Sequence, residues 1–328
     1  MHECKKLLLA AGVFLATLLA GSGVRGEAPR VVGWLTGGSP QSDATLLSAF
    51  REGLKAHGWT EGTNLRFEAR FADGKLERLP ALAAELVGLK PDVIFSGSTP
   101  IHILFKQQTS MIPIVMGTGI DPVAVRLVSD LSRPGGNITG VVGFLNATSV
   151  KMLEIATSLA PRGSRVVILI DVNTPFTAAE HRDEVMRGAK DLGVQAEYVE
   201  VGSKDDVMRA FTAMAKHPPA AIVELPSPML WHLRREVIDE TAKLKVPSIY
   251  PFEVFADAGG LVSYSAPIED GYRRAAYYVH RILQGANPGD LPIEQPTRLK
   301  LVVNLKTAKS QGIKIPQSIL LRADRVIE

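Results

Sequence analysis

The chain has 328 residues, enough for two domains of ordinary size, and its 46% hydrophobic and 22% charged residues exclude wholesale disorder. The 37 basic and 34 acidic residues nearly balance and are scattered along the chain, so nucleic acid is not an expected partner. The sole cysteine, Cys4, leaves zinc fingers, iron–sulfur clusters, disulfide frameworks and thiol nucleophiles without the residues they need.

The first segment, residues 1–28, has the three parts of a secretory signal peptide. Two lysines precede an uncharged, mostly apolar run over 7–20, and the small residues Gly26 and Ala28 follow at the spacing of a cleavage site. The apolar run is shorter than the roughly 20 residues of a membrane-spanning helix. Cys4 precedes this run, whereas a lipid-attachment cysteine would follow it. We therefore predict cleavage near Ala28 and a periplasmic protein that is not a lipoprotein.

From residue 30 to residue 131, short apolar runs rich in β-branched residues alternate with amphipathic stretches. The run at 30–36 reads as a strand, and Leu46, Leu47, Phe50 and Leu54 then fall on one helical face. Further strands are predicted at 64–71, 91–98 and 112–119, and helices at 76–89, from 100, and at 123–131. This alternation predicts a parallel sheet with helices on both faces.

A second series of the same kind follows a turn-rich segment at 132–144. Its strands are predicted at 165–171, 196–202, 220–227 and 246–252, and its helices at 149–159, 177–192, 204–216 and 229–244. A shorter third section has a strand at 261–266, a helix at 269–283, a strand at 298–303 and a helical tail, and it is too small to fold alone. We expect an α/β protein of two Rossmann-like lobes. The first lobe spans 29–143 plus about 266–296, and the second spans 144–265 plus about 297–328.

Ligands of open parallel sheets bind beyond the carboxyl ends of the strands, where loops lead into helices. In the first lobe, Thr99 followed by Pro100 predicts a helix N-cap and a proline at the first helical position. Such a helix end offers free N–H groups to an anion such as a carboxylate. Ser42 or Asp43 can cap the helix after the first strand. The ligand candidates of this lobe, with simple capping as the alternative for several, are Ser39, Gln41, Ser98, Thr99, Thr118 and Asp121.

The second lobe offers matching strand ends with a more apolar character. Asn173 supplies both a donor and an acceptor, and Phe176 supplies an apolar wall. The segment 250–255 concentrates aromatic residues around one acid, although Phe252 and Tyr264 would serve equally well as core residues. The candidates of this lobe are Asn173, Phe176, Ser227, Phe252, Glu253 and Tyr264.

Catalytic and cofactor-binding motifs are missing from the mature sequence. It contains no GxGxxG after a strand, no phosphate-binding loop, no HExxH, no CxxC and no GxSxG. The seven histidines lack metal-ligand spacing, and His57, His181 and His217 read as exposed helix positions. We expect a protein that is not an enzyme and that has neither a metal nor a cofactor.

Several blocks in fixed order resemble the ABC transporter substrate-binding protein family that includes tryptophan- and tyrosine-binding members. They include ELVGLKPDVIFSGSTP and IPIVMGTGIDPVAVRLVSDLSRPGGNITGV, and the full set is 53–74, 85–100, 112–141, 256–265 and 291–328. The resemblance implies a type I periplasmic binding protein, with two lobes joined by three crossings and a ligand in the cleft between them. It also implies delivery of that ligand to an ABC permease and its ATPase in the inner membrane. We expect the exported protein to be a monomer.

The resemblance extends to single positions. The amino-acid-binding relatives carry polar residues similar to Ser98, Thr99, Thr118, Asp121 and Asn173. One position departs from the family, because Ser227-Pro228 replaces the Asp-Asn of those relatives and removes an acid suited to an α-amino group. Either Glu253 takes that role or the ligand has no amine.

Two other classes of protein use the same scaffold. A ligand-sensing subunit of a membrane receptor would keep the cleft and change the partner. An enzyme would need a general acid or base in the cleft, for which Asp121 and Glu253 are the candidates.

Overall fold

A computed structural model describes residues 28–144 and 146–328, and in these ranges the chain forms two sheets. The predicted signal peptide, apart from Ala28, lies outside the described residues. In the described ranges, no helix combines the length and apolar character needed to cross a membrane.

The first sheet has five parallel strands in the order β2-β1-β3-β4-β5. Its elements are β1 (Arg30–Thr36), α1 (Ala44–Ala56), β2 (Leu65–Phe71), α2 (Leu79–Gly88), β3 (Val93–Ser96), α3 (Thr99–Gln108), β4 (Ile114–Met116) and β5 (Ile138–Gly140). Strand β3 is buried along its whole length, as expected of a parallel strand covered on both faces.

The second sheet has seven strands in the order β12-β11-β10-β9-β8-β6-β7, parallel except for the β10–β11 pair. It begins with α4 (Asn146–Leu159), β6 (Arg165–Asp171), α5 (Ala179–Leu192), β7 (Gln195–Val201), α6 (Lys204–Lys216), β8 (Ala221–Glu224), α7 (Pro228–His232), α8 (Arg234–Leu244), β9 (Ser248–Tyr250), α9 (Glu253–Asp257) and β10 (Val262–Ser265). The chain ends with α10 (Ile268–Leu283), β11 (Lys300–Asn304), α11 (Leu305–Gln311), α12 (Gln317–Leu320) and β12 (Arg325–Ile327).

Helix α10 returns to the first sheet and packs on α1. Leu46, Phe50 and Leu54, three members of the predicted stripe, are buried there against Ala276. A Cβ at Gly53 would lie 2.7 Å from the Cβ of Ala276, so the two helices approach closely at a glycine. We call the first sheet with α1–α3 and α10 the first lobe, and the second sheet with its helices the second lobe.

One sequence-based prediction of a helix is wrong, and two others are confirmed only in part. The segment 123–131 forms turns instead of a helix, because Arg126 adopts a left-handed backbone with φ +57° that interrupts helical repetition. The helix predicted over 229–244 is divided at Leu233 into α7 and α8. The tail is only partly helical, since β12 pairs in parallel with β11 and extends the second sheet.

Candidate functional site

A cavity lies between the lobes, at the carboxyl ends of strands from both sheets. Counted with its open mouth, it has about 770 Å³ of space free of atoms. The first lobe contributes the loops after β1, β3 and β4, and the second lobe contributes the loops after β6, β8 and β9. The side chains that shape it most are Asp43, Ser96, Ser98, Thr99, Thr118, Phe144, Phe176, Ser227, Trp231, Phe252 and Tyr272.

Two serine hydroxyls of the first lobe reach the cavity without hydrogen-bond partners. Ser96 ends β3 and is 0% exposed, and Ser98 is the N-cap residue of α3. The Oγ atoms of both are buried, and within the described part of the chain neither has a partner. Buried polar atoms are rarely left unpaired, so these hydroxyls are candidates for contact with a polar ligand group. The N-terminus of α3 beside them adds a partial positive charge, which favours an anionic group.

Thr99 lines the cavity, but its hydroxyl does not cap α3 as the sequence predicted. Ser98 takes the N-cap position, so Thr99 and Pro100 are the first two helical residues. The Thr99 Oγ1 atom accepts the backbone N–H of Ile120 at 3.0 Å. Thr99 thereby ties α3 to the loop after β4.

A buried histidine supports the same strand end from behind. His102 is fully buried, and its Nε2 atom lies 2.8 Å from the carbonyl oxygen of Ser96. Burial lowers the pKa of His102 to about 4, although the bond to Ser96 acts in the opposite direction. The neutral ring therefore donates to the Ser96 carbonyl and fixes the backbone that presents the Ser96 hydroxyl.

Glycines keep this wall of the cavity open. A Cβ at Gly97 would lie 2.0 Å from the Tyr272 hydroxyl oxygen, and a Cβ at Gly143 would lie 1.6 Å from the Thr118 Oγ1 atom. Both positions therefore require glycine for the neighbouring hydroxyl to keep its place.

Asp43 is the one carboxylate among the described lining residues, which include no lysine, arginine or histidine. It precedes α1 and is 2% exposed, yet its side chain makes no capping bond. Instead, Asp43 accepts hydrogen bonds from Thr36 Oγ1 at 2.5 Å and from Ser42 Oγ at 2.9 Å. A third donor is the Trp231 Nε1–H of the second lobe, at 3.1 Å. Sequence reasoning treated Asp43 only as a helix cap and did not select Trp231.

The polar side chains of the second lobe are already engaged at the cavity. The Ser227 hydroxyl donates to Asp171 Oδ2 at 2.6 Å and accepts the N–H groups of Met229 and Leu230 at 3.0 and 3.1 Å. The hydroxyl of Thr174 donates to the Asp171 carbonyl at 2.7 Å. These bonds order the loop after β6 and cap α7.

The rest of the second-lobe wall is aromatic. Phe176 packs edge-on against Phe144 with ring centres 5.6 Å apart, and Trp231 packs in the same manner on Phe252 at 5.5 Å. Pairs of this geometry stabilise each other beyond their buried area. The cavity therefore has a polar end on the first lobe and an apolar body on the second.

The structure brings half of the twelve predicted ligand residues to the cavity. Those in the lining are Ser98, Thr99, Thr118, Phe176, Ser227 and Phe252. Those outside the lining are Ser39, Gln41, Asp121, Asn173, Glu253 and Tyr264. Ser39 exchanges turn hydrogen bonds with Ser42, Asp121 accepts the Val123 N–H at 2.9 Å, and Tyr264 packs on the core of the second lobe. Gln41 is exposed, and so is Asn173, whose amide donates to Asp171.

Glu253 pairs with two cations away from the cavity. Its carboxylate accepts Lys300 Nζ at 2.8 Å and Arg325 Nη1 at 2.6 Å. Burial acts to raise the pKa of Glu253, but the hydrogen bonds from both cations outweigh it and lower that pKa. Glu253 is thus a charged partner for β11 and β12.

One histidine expected at the surface lies in the core. His217 is exposed, His57 is half-buried and His181 is buried. The His181 ring lies 4.9 Å from the ring of Phe176, and burial, with the charge of Arg182, lowers its pKa to about 4. The signal was available in the sequence, because His181 shares the helical face of Val185 and Ala189, both buried.

The two lobes, the crossings between them and the intervening cavity define the class of periplasmic binding proteins. The model of the ABC transporter substrate binding protein family matches residues 39–327, and the chain belongs to that family. It is therefore a solute-binding protein of an ABC transporter and not an enzyme.

Characterised and solved relatives cover most of the chain. The tyrosine-binding protein of Clostridioides difficile is 23% identical over 262 residues, which cover 80% of this chain and 74% of that protein. A conserved domain protein of Vibrio cholerae is 26% identical with a TM-score of 0.83, covering 92% of this chain and 100% of that chain. A Streptococcus pneumoniae ABC domain in complex with L-Trp is 24% identical, with the same TM-score of 0.83 and the same coverage. The last match shows the shared fold.

Proposed function

We propose that the chain captures a small carboxylate, such as an amino acid, an aromatic acid or another small carboxylate, and delivers it to the permease of an ABC importer. The observation that carries this proposal is the pair of unpartnered hydroxyls, Ser96 and Ser98, at the N-terminus of α3. A carboxylate placed there accepts hydrogen bonds from both hydroxyls and lies at the positive end of the α3 dipole, without needing an arginine.

The apolar body of the ligand lies between the aromatic walls. Phe176 and Phe252 stand on the second-lobe side, and Trp231 extends the wall toward the first lobe. Thr99 and Thr118 complete the polar end, although the Thr99 hydroxyl already accepts one backbone bond. Relatives named for tyrosine binding and solved with L-Trp make aromatic amino acids the first compounds to test.

The ammonium group of an amino acid has no free acceptor at Ser227, which makes three hydrogen bonds within its own lobe. Glu253 is engaged by two cations outside the cavity. A deaminated analogue of tryptophan is therefore tested beside the amino acids.

Mass spectrometry of the small molecule that co-purifies with the protein identifies the ligand without prior choice. Calorimetric titration with L-tryptophan, L-tyrosine and 3-(indol-3-yl)propanoate then separates recognition of the carboxylate from recognition of the amine. We expect the co-purified molecule, and every titrated compound that binds, to carry a carboxylate. A neutral sugar or a polyamine as the co-purified ligand would contradict the proposal.

Delivery to a permease requires export. We propose that the chain is cut near Ala28 and works in the periplasm as a monomer, beside a permease and its ATPase in the inner membrane. N-terminal sequencing of protein from the periplasmic fraction tests this, and an intact Met1 would contradict it.

A further inference from the structure

The Asp43–Trp231 hydrogen bond joins the two lobes directly, away from the crossings of the chain. Asp43 lies in the loop before α1 on the first lobe, and Trp231 lies in α7 on the second. The Trp231 Nε1 atom is 3.1 Å from Asp43 Oδ1, and 188 positions separate the residues in sequence. The bond can exist only when the lobes are closed.

Each half of this contact is built inside its own lobe. Asp43 is held by the hydroxyls of Thr36 and Ser42, which orient its carboxylate before any contact with the second lobe. The Trp231 ring is held by Phe252 at 5.5 Å and by the Arg234 guanidinium at 5.5 Å. Acceptor and donor are therefore preorganised separately and meet on closure.

Further close contacts surround the pair. A Cβ at Gly37 would lie 3.1 Å from the Pro228 Cβ, and a Cβ at Gly74 would lie 2.5 Å from the His232 ring. Leu76 packs against the core of the second lobe. The loops after β1 and β2 thus rest on the second lobe around the Asp43–Trp231 bond.

We propose that Asp43 is a positioning residue that fixes Trp231 as a wall of the cavity when the lobes close, and that this bond stabilises the closed state even without a ligand. Both residues line the cavity, so closure and completion of its aromatic wall are a single event. The proposal does not depend on which small molecule the cavity takes.

A disulfide trap measures closure with no ligand present. Cysteines at Gly37→Cys and Pro228→Cys would face each other across the closed cleft, and the sole native cysteine is removed by Cys4→Ser. Their Cβ separation needs only a small increase to reach the roughly 3.5–4.5 Å of a disulfide. The protein is unfolded and refolded to strip bound molecules, and the rate of cross-linking under a fixed oxidant is followed on non-reducing gels.

We expect Trp231→Phe to slow cross-linking about tenfold, because it keeps the aromatic wall and removes the donor to a charged acceptor. Asp43→Asn should slow it by a smaller factor, since the amide oxygen still accepts but carries no charge. The double variant should be no slower than Trp231→Phe alone, as expected of two residues that share one interaction.

Two matched control variants change hydrogen bonds that lie within one lobe. Trp59→Phe removes an indole bond to His280, and Asp92→Asn weakens bonds to Arg30 and the Val31 N–H, all within the first lobe. Both should cross-link at the parent rate, and urea unfolding of every variant separates closure from loss of fold.

The proposal is overturned if Asp43→Asn and Trp231→Phe cross-link as fast as the parent, or if their effects multiply in the double variant. A parent that does not cross-link without ligand would overturn it equally. If Trp231→Phe does not fold, the cross-linking rate of Asp43→Asn is compared with that of Asp92→Asn. Equal rates in these two variants overturn the proposal.

Discussion

On the first lobe, the hydroxyls of Ser96, at the end of β3, and Ser98, at the start of α3, have no hydrogen-bond partner among the described residues. On the second lobe, the hydroxyl of Ser227 occupies a similar strand end but makes three hydrogen bonds within its own lobe. Equivalent residue types thus serve opposite purposes at the two faces of one cleft. The first face is poised for a polar ligand group, and the second is a preorganised apolar wall.

Removing both free hydroxyls should produce the largest effect on binding. Each hydrogen bond to a charged group is worth roughly 1.5–3 kcal/mol, so Ser96→Ala with Ser98→Ala should weaken binding of a carboxylate about 100-fold or more. The free energy of unfolding should change little, because these hydroxyls make no hydrogen bond to the part of the protein that the structure describes. Calorimetric titration and urea unfolding measure the two effects. His217→Ala, at an exposed position, is the control.

Acid should destabilise both lobes through one buried histidine each. His102 and His181 have folded pKa values lowered to about 4, whereas an unfolded histidine titrates near 6.5. The unfolded state therefore binds protons first as the pH falls from about 6.5 to about 4, and the folded state loses stability over that window. The loss is about 3 kcal/mol per histidine. Urea unfolding at a series of pH values measures it.

Replacing one histidine sharpens that comparison. His181→Gln should remove about half of the slope contributed by the two histidines between pH 6.5 and 4, since each contributes a similar shift. An unchanged slope in His181→Gln would show that the buried ring is not the proton-binding group.

Ser227→Ala should change stability more than ligand contact. The substitution removes the cap of α7 and the donor to the buried Asp171, so we expect the free energy of unfolding to fall by about 2 kcal/mol. Affinity should fall less than in the Ser96→Ala, Ser98→Ala variant. Equal losses of affinity in the two variants would contradict the claim that the first-lobe hydroxyls contact the ligand and the Ser227 hydroxyl does not.

Thr99→Val should lower stability less than Ser227→Ala. It leaves the buried Ile120 N–H without its acceptor, which costs about 1 kcal/mol, and it also removes a hydroxyl from the polar end of the cavity. Thermal unfolding beside calorimetric titration separates the two roles. A variant with parental stability would show that the bond to Ile120 contributes nothing.

The sequence was sufficient for the alternation of strands and helices, because buried parallel strands are short apolar runs and their helices carry an apolar stripe. It also located the polar end of the cavity, since Ser98, Thr99 and Pro100 combine a strand end with a helix start. No sequence pattern indicated the left-handed backbone conformation of Arg126, and the helix predicted there is wrong. Asp43 and Trp231 could not be paired from sequence, because their contact depends on how two separate lobes meet.

The most direct test of the polar first face compares the co-purified ligand, once identified by mass spectrometry, with its carboxamide. The two differ only in the group placed at Ser96, Ser98 and the start of α3, where a neutral amide with an NH₂ donor replaces a charged group that only accepts. Calorimetric titration should show the amide bound at least about tenfold more weakly by the parent. This difference should shrink in the Ser96→Ala, Ser98→Ala variant. Equal affinity of the parent for acid and amide would contradict the assignment of the first face to a carboxylate.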